Sequence, residues 1–439
     1  MGASLPAAVL SEVLRRVPPR GLAACRCVCR KWRAIIDGRR MLRRDLLPLA
    51  VGGIFLSVAR MAAPPEFFAR PSPAAREIAG RLERYVDTDG ITIPTLLDCC
   101  NGLLLLGDQV VNPATMQCAI VPPACSSAWP DEYGLGDAYL VFDPLVSPND
   151  YKVVLIQDQT FFEHKLEDGS EWPPSSYTMW IYDSSATTGG WEERPFVRDG
   201  GPAGTFADAR SAGEPEARHA VYWRGALYVH CTGDFIMRIA LSDYKYQVIK
   251  LPAGVHSRVG FDHHLAKSKN GVYFALVRDG FRLQVWFLNE VSGNTEWVYK
   301  YDINLHSVDA NFVAGLEYPV ARPWILQGGY CNQQGNNNNR GKVVEEAWDS
   351  DDDNILEIED TVEKRHSGQV SIFGFHPFKE VAFLQLSSRR VVACHLDSSK
   401  LQDLGQLSLP YYGDAIDTTF VYTPCWIGDL SQHNKCMHL

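Results

Sequence analysis

The 439-residue sequence predicts an α+β multidomain chain: a small N-terminal three-helix module followed by an all-β, propeller-like domain. Three observations carry this reading. Apolar residues recur at helical spacing within the first 40 or so positions. From about residue 96 the texture changes to short Val-, Tyr-, Trp- and Phe-rich runs separated by turns. Glycine-containing hairpins then recur roughly every 40–50 residues, the period of propeller blades rather than of a single large sandwich.

The first helix follows from Val9, Val13 and Val17, four residues apart, with Leu10 and Leu14 beside them. Ser4 is placed to cap it, and Pro6 falls in the first turn, where a missing N–H costs nothing. Pro18 and Pro19 end it, because proline pushes the preceding residue out of the α region. A second stripe runs through Leu22, Cys25, Val28, Cys29, Trp32, Ile35 and Ile36, and Gly38 is a natural stop. Leu42, Leu46 and Leu47 predict a third short helix ended by Pro48. So small a segment cannot bury all this apolar surface by itself, so part of it is expected to dock on another protein.

The order Leu5-Pro6, Val9-Leu10, Val13-Leu14, Val17-Pro18, Leu22, Val28-Cys29-Arg30-Lys31-Trp32-Arg33, Ile35-Ile36 resembles the F-box. Ala7 and Ala8 stand where acidic residues are common in that family, and Val17 where leucine is usual. The resemblance implies a Skp-type adaptor as partner and, through it, a cullin. The contact residues it implies are Leu5, Pro6, Val9, Leu10, Val13, Leu14, Leu22, Val28, Trp32, Ile35 and Ile36, with Trp32 as the hot spot.

Charge supports a protein partner. Residues 1–45 carry a net charge of +8 and the remainder −18. The arginines alternate with the apolar stripe rather than forming one run, which favours an acidic protein surface over nucleic acid. No apolar run is long enough for a membrane span, and the N-terminus lacks a signal-peptide pattern. Twelve scattered cysteines in so long a chain are expected to be reduced, mostly buried thiols, which places the protein in the cytoplasm, the nucleus or both.

The organisation expected is residues 1–47 as the helical module, 48–95 as linker and first β segment, and 96–430 as the β domain, with a flexible acidic loop at about 328–368. The predicted strands include Leu103–Leu106, Tyr139–Phe142, Tyr151–Ile156, Thr178–Tyr182, Ala220–Trp223, Ala226–His230, Ile236–Leu241, Val272–Val277 and Arg282–Leu288, then Trp297–Tyr301, Val370–Phe375, Val381–Leu386 and Val391–Leu396. Asn101-Gly102, Arg224-Gly225, Asn270-Gly271 and Asp279-Gly280 supply the hairpin turns. Cys100-Asn101-Gly102-Leu103, Asn112-Pro113-Ala114-Thr115, Asp143-Pro144 with Tyr151-Lys152-Val153-Val154, Gly225-Ala226-Leu227-Tyr228 and Ile249-Lys250-Leu251-Pro252 resemble the plant F-box-associated, kelch-like domain. These marks are turns and strand starts, so the resemblance implies a fold and not a chemistry.

Chemical candidates are few. Cys25, Cys27 and Cys29 cannot converge on one metal from a helix, because residues two apart point to different faces. His263 and His264 are adjacent and diverge on a strand. Cys436-Met437-His438-Leu439 fits a prenylation signal poorly, since His438 replaces an aliphatic residue and no basic run precedes it. The expectation is a non-catalytic substrate-recognition adaptor of an SCF-type ubiquitin ligase, with no cofactor, no metal and an unknown protein substrate. The alternative is a kelch-like propeller oxidase or glycan-binding protein with a helical appendage.

Overall fold

A computed structural model describes residues 7–15, 17, 22, 25, 28–39, 50–58, 65–72, 75, 78, 95–124, 136–157, 166–187, 189–212, 219–255, 263–291, 294–313, 320, 323–327, 348, 355–356, 368–409, 415–426 and 430. Leu5, Pro6, the Leu42–Leu47 helix and most of the 328–368 loop lie outside these residues.

Two helices open the chain, α1 (Ala7–Arg15) and α2 (Arg30–Gly38). Leu22, Cys25 and Val28 are also helical, but Cys29 is not. The second stripe is therefore interrupted before Arg30 rather than running as one helix from Leu22 to Ile36.

The rest is built of antiparallel sheets. Strands β1 (Gly53–Val58) and β2 (Glu66–Ala69) pair with each other. Next come β3 (Leu96–Cys100), β4 (Leu103–Leu106), β5 (Gln109–Asn112) and β6 (Gln117–Ile120), a four-stranded meander. An eight-stranded sheet follows. Its first half holds β7 (Gly136–Val141), β8 (Lys152–Gln157), β10 (Ser176–Asp183) and β11 (Trp191–Arg198), with the short pair β9 (Glu171–Trp172) and β12 (Gly204–Thr205) beside it. Helix α3 (Phe206–Ala212) leads to its second half, β13 (Ala220–Trp223), β14 (Ala226–Cys231), β15 (Phe235–Ala240) and β16 (Lys245–Lys250). Within the sheet the two halves meet in a parallel pairing of Val197 and Arg198 with Lys245 and Tyr246.

The third meander is β17 (His263–Ser268), β18 (Gly271–Arg278), β19 (Arg282–Val291) and β20 (Asn294–Asn304), followed by α4 (His306–Val313). Strand β21 (Ile325–Leu326) pairs back onto β2, and β22 (Ile355–Leu356) onto the next sheet. That sheet is β23 (Ser371–Phe375), β24 (Val381–Gln385), β25 (Arg390–His395) and β26 (Leu401–Gln406). The last strand, β27 (Ile416–Tyr422), pairs with β1 along six positions, so the two ends of the body share one sheet of order β21-β2-β1-β27.

Counting the halves of the long sheet separately gives six units, five of four strands and one of five, and a separate apolar core fills each junction between consecutive units. Tyr139, Val154 and Phe196 meet Leu227, Val229 and Phe235, for example, and Tyr273, Leu283 and Val285 meet Ala382, Leu384 and Val392. The unit that joins the chain ends packs on both its neighbours: Phe55, Phe67 and Tyr422 against Leu104 and Val111, and Leu56 and Phe68 against Phe383 and Val391. The units therefore close into a ring. One edge strand from each (β3, β7, β13, β17, β23, β27) faces the axis, with β17 touching β13 and β23, and β27 touching β23 and β3.

Cysteine chemistry departs from expectation at one point. Cys25, Cys29, Cys99, Cys100, Cys231, Cys394 and Cys425 are free, but Cys118 is disulfide-bonded.

Candidate functional site: a docking face and an axial cavity

The N-terminal module divides its apolar residues into two sets. Leu10, Leu14, Leu22 and Ile36 are buried on one another, with Val17, Cys25, Trp32 and Ile35 half-buried at the edge. Leu10 and Leu14 are one helical turn apart on α1 and so share its inner face. Val9 and Val13 share the adjacent face and stand 48% and 51% exposed; Val28 is 63% exposed. Four of the sequence-predicted contact residues thus build the module's own core, and three present apolar surface to water. Cys29, expected on the packed stripe, is exposed.

The body carries a second candidate, a cavity of about 110 Å³ on the ring axis. Its walls come from β3, β13, β17, β23 and β27 and the turns that follow them. The feature most visible in it is a pair of histidines. His219, just before β13, and His264 on β17 place their rings 3.8 Å apart at 42°. His263 points elsewhere and meets the His230 ring edge-on at 4.7 Å. The divergence of His263 and His264 follows from strand alternation. Their histidine partners on other strands were invisible in the sequence because each pair is tens of residues apart.

Burial governs the chemistry of these groups. It lowers His219 to about 3, with His263 adding to the shift, and holds His264 well below the ordinary histidine range. Both imidazoles are therefore neutral at physiological pH. The Nδ1 of His264 is buried and makes no hydrogen bond. Asp98 on β3 accepts hydrogen bonds from the Cys99 and Leu140 backbone N–H groups, each at 2.7 Å. Burial outweighs those bonds and raises its pKa to about 7. Burial likewise pushes Cys100 up to about 12 and Cys99 well above its usual value, although Lys267 opposes both shifts. Neither thiol is a nucleophile.

At one end of the cavity the Lys267 ammonium donates to Asn101 Oδ1 at 2.7 Å, and Asn101 Nδ2 donates to the Phe142 carbonyl at 2.6 Å. Asn101 can sit here because the turn needs a positive φ (48°), followed by Gly102 at 90°. A Cβ on Gly102 would meet the Thr423 carbonyl and Cys425 at 2.6 Å, so only glycine lets this turn approach the chain end. Among the described residues no three His, Cys, Asp or Glu side chains are grouped to hold a metal ion.

Comparison with known proteins bears on the first candidate. Residues 3–44 match the F-box domain family. F-box only protein 27 of Homo sapiens is 44% identical over 82 residues, 18% of this chain and 28% of that protein. The Macaca fascicularis protein of the same name is also 44% identical over 82 residues, 29% of its length. "Putative F-box protein At1g47390" of Arabidopsis thaliana is 30% identical over 129 residues, 27% of this chain and 31% of that one. The matches span under a third of these relatives. The solved structure of Citrobacter koseri AztD covers 74% of this chain at 10% identity with a TM-score of 0.29, too low to inform fold or function. The exposed valines and the leucine core beneath them thus belong to an F-box domain at the N-terminus of a chain that is otherwise mostly β.

Proposed function

We propose that this chain is a substrate-recognition adaptor of an SCF-type ubiquitin ligase, its F-box docked on a Skp-type adaptor and, through it, on a cullin. The observation that carries the reading is the exposure of Val9, Val13 and Val28 on an F-box whose core is already filled by Leu10, Leu14, Leu22 and Ile36. The three valines make the direct contact. Trp32 and Ile35, half-buried at the rim, complete it, and the four core residues hold its shape. Leu5 and Pro6 extend the surface toward the N-terminus. The basic charge of this segment suits an acidic partner and speeds encounter.

The β body is a six-bladed, kelch-like propeller, closed by pairing its first strand with its last. It presents a protein substrate to the ligase and performs no chemistry itself. Its contribution is a raised effective concentration of substrate near the transferring enzyme. The complex works in the cytoplasm, the nucleus or both.

The test is a pull-down of the full chain with a purified Skp-type adaptor. Wild type is expected to bind, and Val13→Asp with Val28→Asp is expected to lose binding while the body keeps its melting temperature. Binding that survives the double substitution removes this reading.

A further inference from the structure

The outer edges of the ring are covered unevenly. Strand β21 pairs onto β2 and β22 onto β26, and β11 and β16 meet each other in parallel. Among the described residues that leaves β6 and β20 as open outer ends of their sheets. β6 has four residues, whereas β20 has eleven and no proline. A long open edge offers a row of backbone donors and acceptors to another strand, and native edges are usually blunted by brevity, proline or charge. β20 instead exposes Val298 (42%) and Tyr299 (48%) at its centre. Its one interruption is a bulge at Lys300, since Trp286 opposes Tyr299 and Val285 opposes Tyr301.

The side chains of β20 sort by face. Val298 stands opposite Phe287 and Glu296 opposite Asn289, and the Lys300 ammonium lies over the Tyr273 and Phe287 rings at 5.2 and 5.8 Å. Glu296, Val298 and Lys300 therefore share one face. Trp297 and Tyr299, opposite Leu288 and Trp286, share the other. Glu296 is exposed and makes no ion pair with a described residue. The Lys300 ammonium donates to the Tyr273 hydroxyl at 3.0 Å and to Glu380 at 3.2 Å, which leaves its third donor open, and the side chain is 30% exposed.

We propose that β20 pairs antiparallel with β20 of a second copy of this chain, about a two-fold axis through Val298. In that register Val298 faces its own counterpart, Trp297 faces the second copy's Tyr299, and Glu296 faces the second copy's Lys300, each unlike pair occurring twice. Every pair joins side chains of one face, as cross-strand neighbours must. Centring the axis on Tyr299 would set Glu296 against Asp302, and centring it on Trp297 would set Glu296 against Val298. The order Glu-Trp-Val-Tyr-Lys carries its own complement, which an unrelated strand has no reason to do. The bulge keeps the ladder short, so the dimer is weak and dissociates on dilution.

This goes beyond the adaptor reading, and the two stand or fall separately. The test is sedimentation velocity of the full chain from about 1 to 200 µM. Wild type should shift reversibly from monomer to dimer. Val298→Lys brings two ammonium groups together on the axis and should raise the dissociation constant by about tenfold or more. Glu296→Lys should raise it less, by facing the second copy's Lys300. Both positions are exposed, so both variants should keep the wild-type melting temperature. Val298→Cys should cross-link to its counterpart under mild oxidation above the wild-type background, and Thr295→Cys should not, because Thr295 faces the second copy's Tyr301. A chain that stays monomeric throughout, a dimer unaffected by folded Val298→Lys and Glu296→Lys, or equal cross-linking through Thr295→Cys would each overturn the proposal.

Discussion

The N-terminal module and the ring are stabilised in different ways. The module has four buried apolar side chains among its described residues, and leaves Val9, Val13 and Val28 about half exposed to water. The ring has an apolar core at every junction between its units, several with ten or more buried residues, and it closes by pairing β1 with β27. A core that small supplies little net stability, whereas the ring needs nothing outside itself. Under the proposed function the difference divides the roles: the module would gain order by docking, and the ring would be the frame that presents a substrate.

The largest expected effect breaks the frame. Phe55 is fully buried at the closure, 4.5 Å from the Phe67 ring and 5.1 Å from that of Tyr422. Phe55→Ala should cost about 3–5 kcal/mol in body stability, read from urea unfolding, with affinity for the Skp-type adaptor unchanged. A loss of adaptor binding in the folded variant would mean that the two regions are coupled. Next comes the module's own core. Leu14→Ala should destabilise the module by about 2–4 kcal/mol and leave the body's transition in place. Saturating adaptor should restore much of that order by mass action, visible as recovered amide protection of α1. Smaller again is the surface term. Val13→Ala alone should weaken adaptor binding by about 1–2 kcal/mol without changing the module's protection, because Val13 is exposed before docking. If Leu14→Ala and Val13→Ala behave alike, the division into core and docking face is wrong.

How legible these features were depended on burial. Strand β4 is Leu103–Leu106, four buried leucines after an Asn-Gly turn, and its boundaries were read correctly. β13 was read to the residue as well. Strands β11, WEERPFVR, and β16, KYQVIK, were missed, because each has one or two fully buried positions and reads as polar. β27, IDTTFVY, was missed for a related reason: its buried positions are Thr419 and Tyr422, so its apolar residues do not trace the buried face, and its partner β1 lies more than 350 positions earlier. The closure and the histidine pairs are facts of topology, which local periodicity does not encode. The F-box was legible because its recognition residues lie within one short segment. Its split into buried Leu10 and Leu14 and exposed Val9 and Val13 was not, since both pairs have the same spacing.

The smallest effect tests whether the ring's interior is tuned or merely tolerated. Burial raises the pKa of Asp98 from the ordinary 3.8 to about 7 in the folded protein. Its contribution to stability is therefore whole below about pH 4, falls as pH rises toward 7, and stays low above that. The ionised form costs on the order of 4 kcal/mol before other adjustments. His219 works in the opposite sense. Its folded pKa of about 3 lies below the ordinary 6.5, so it contributes stability above pH 6.5 that is lost as pH falls. Between pH 4 and 6.5 the two slopes oppose each other, and the wild-type protein should show a shallow pH profile. Asp98→Asn removes one slope. At pH 8 it escapes the ionisation cost but turns an amide NH2 toward one of the two backbone donors that Asp98 satisfied, which costs about 1–3 kcal/mol. A net gain of about 1–2 kcal/mol is expected there, with a steeper loss of stability than wild type on acidification from pH 7 to pH 5. Thermal unfolding of both proteins across that range measures it. Parallel profiles would show that Asp98 does not titrate near neutrality, and the frame would then owe its acid response to the histidines alone.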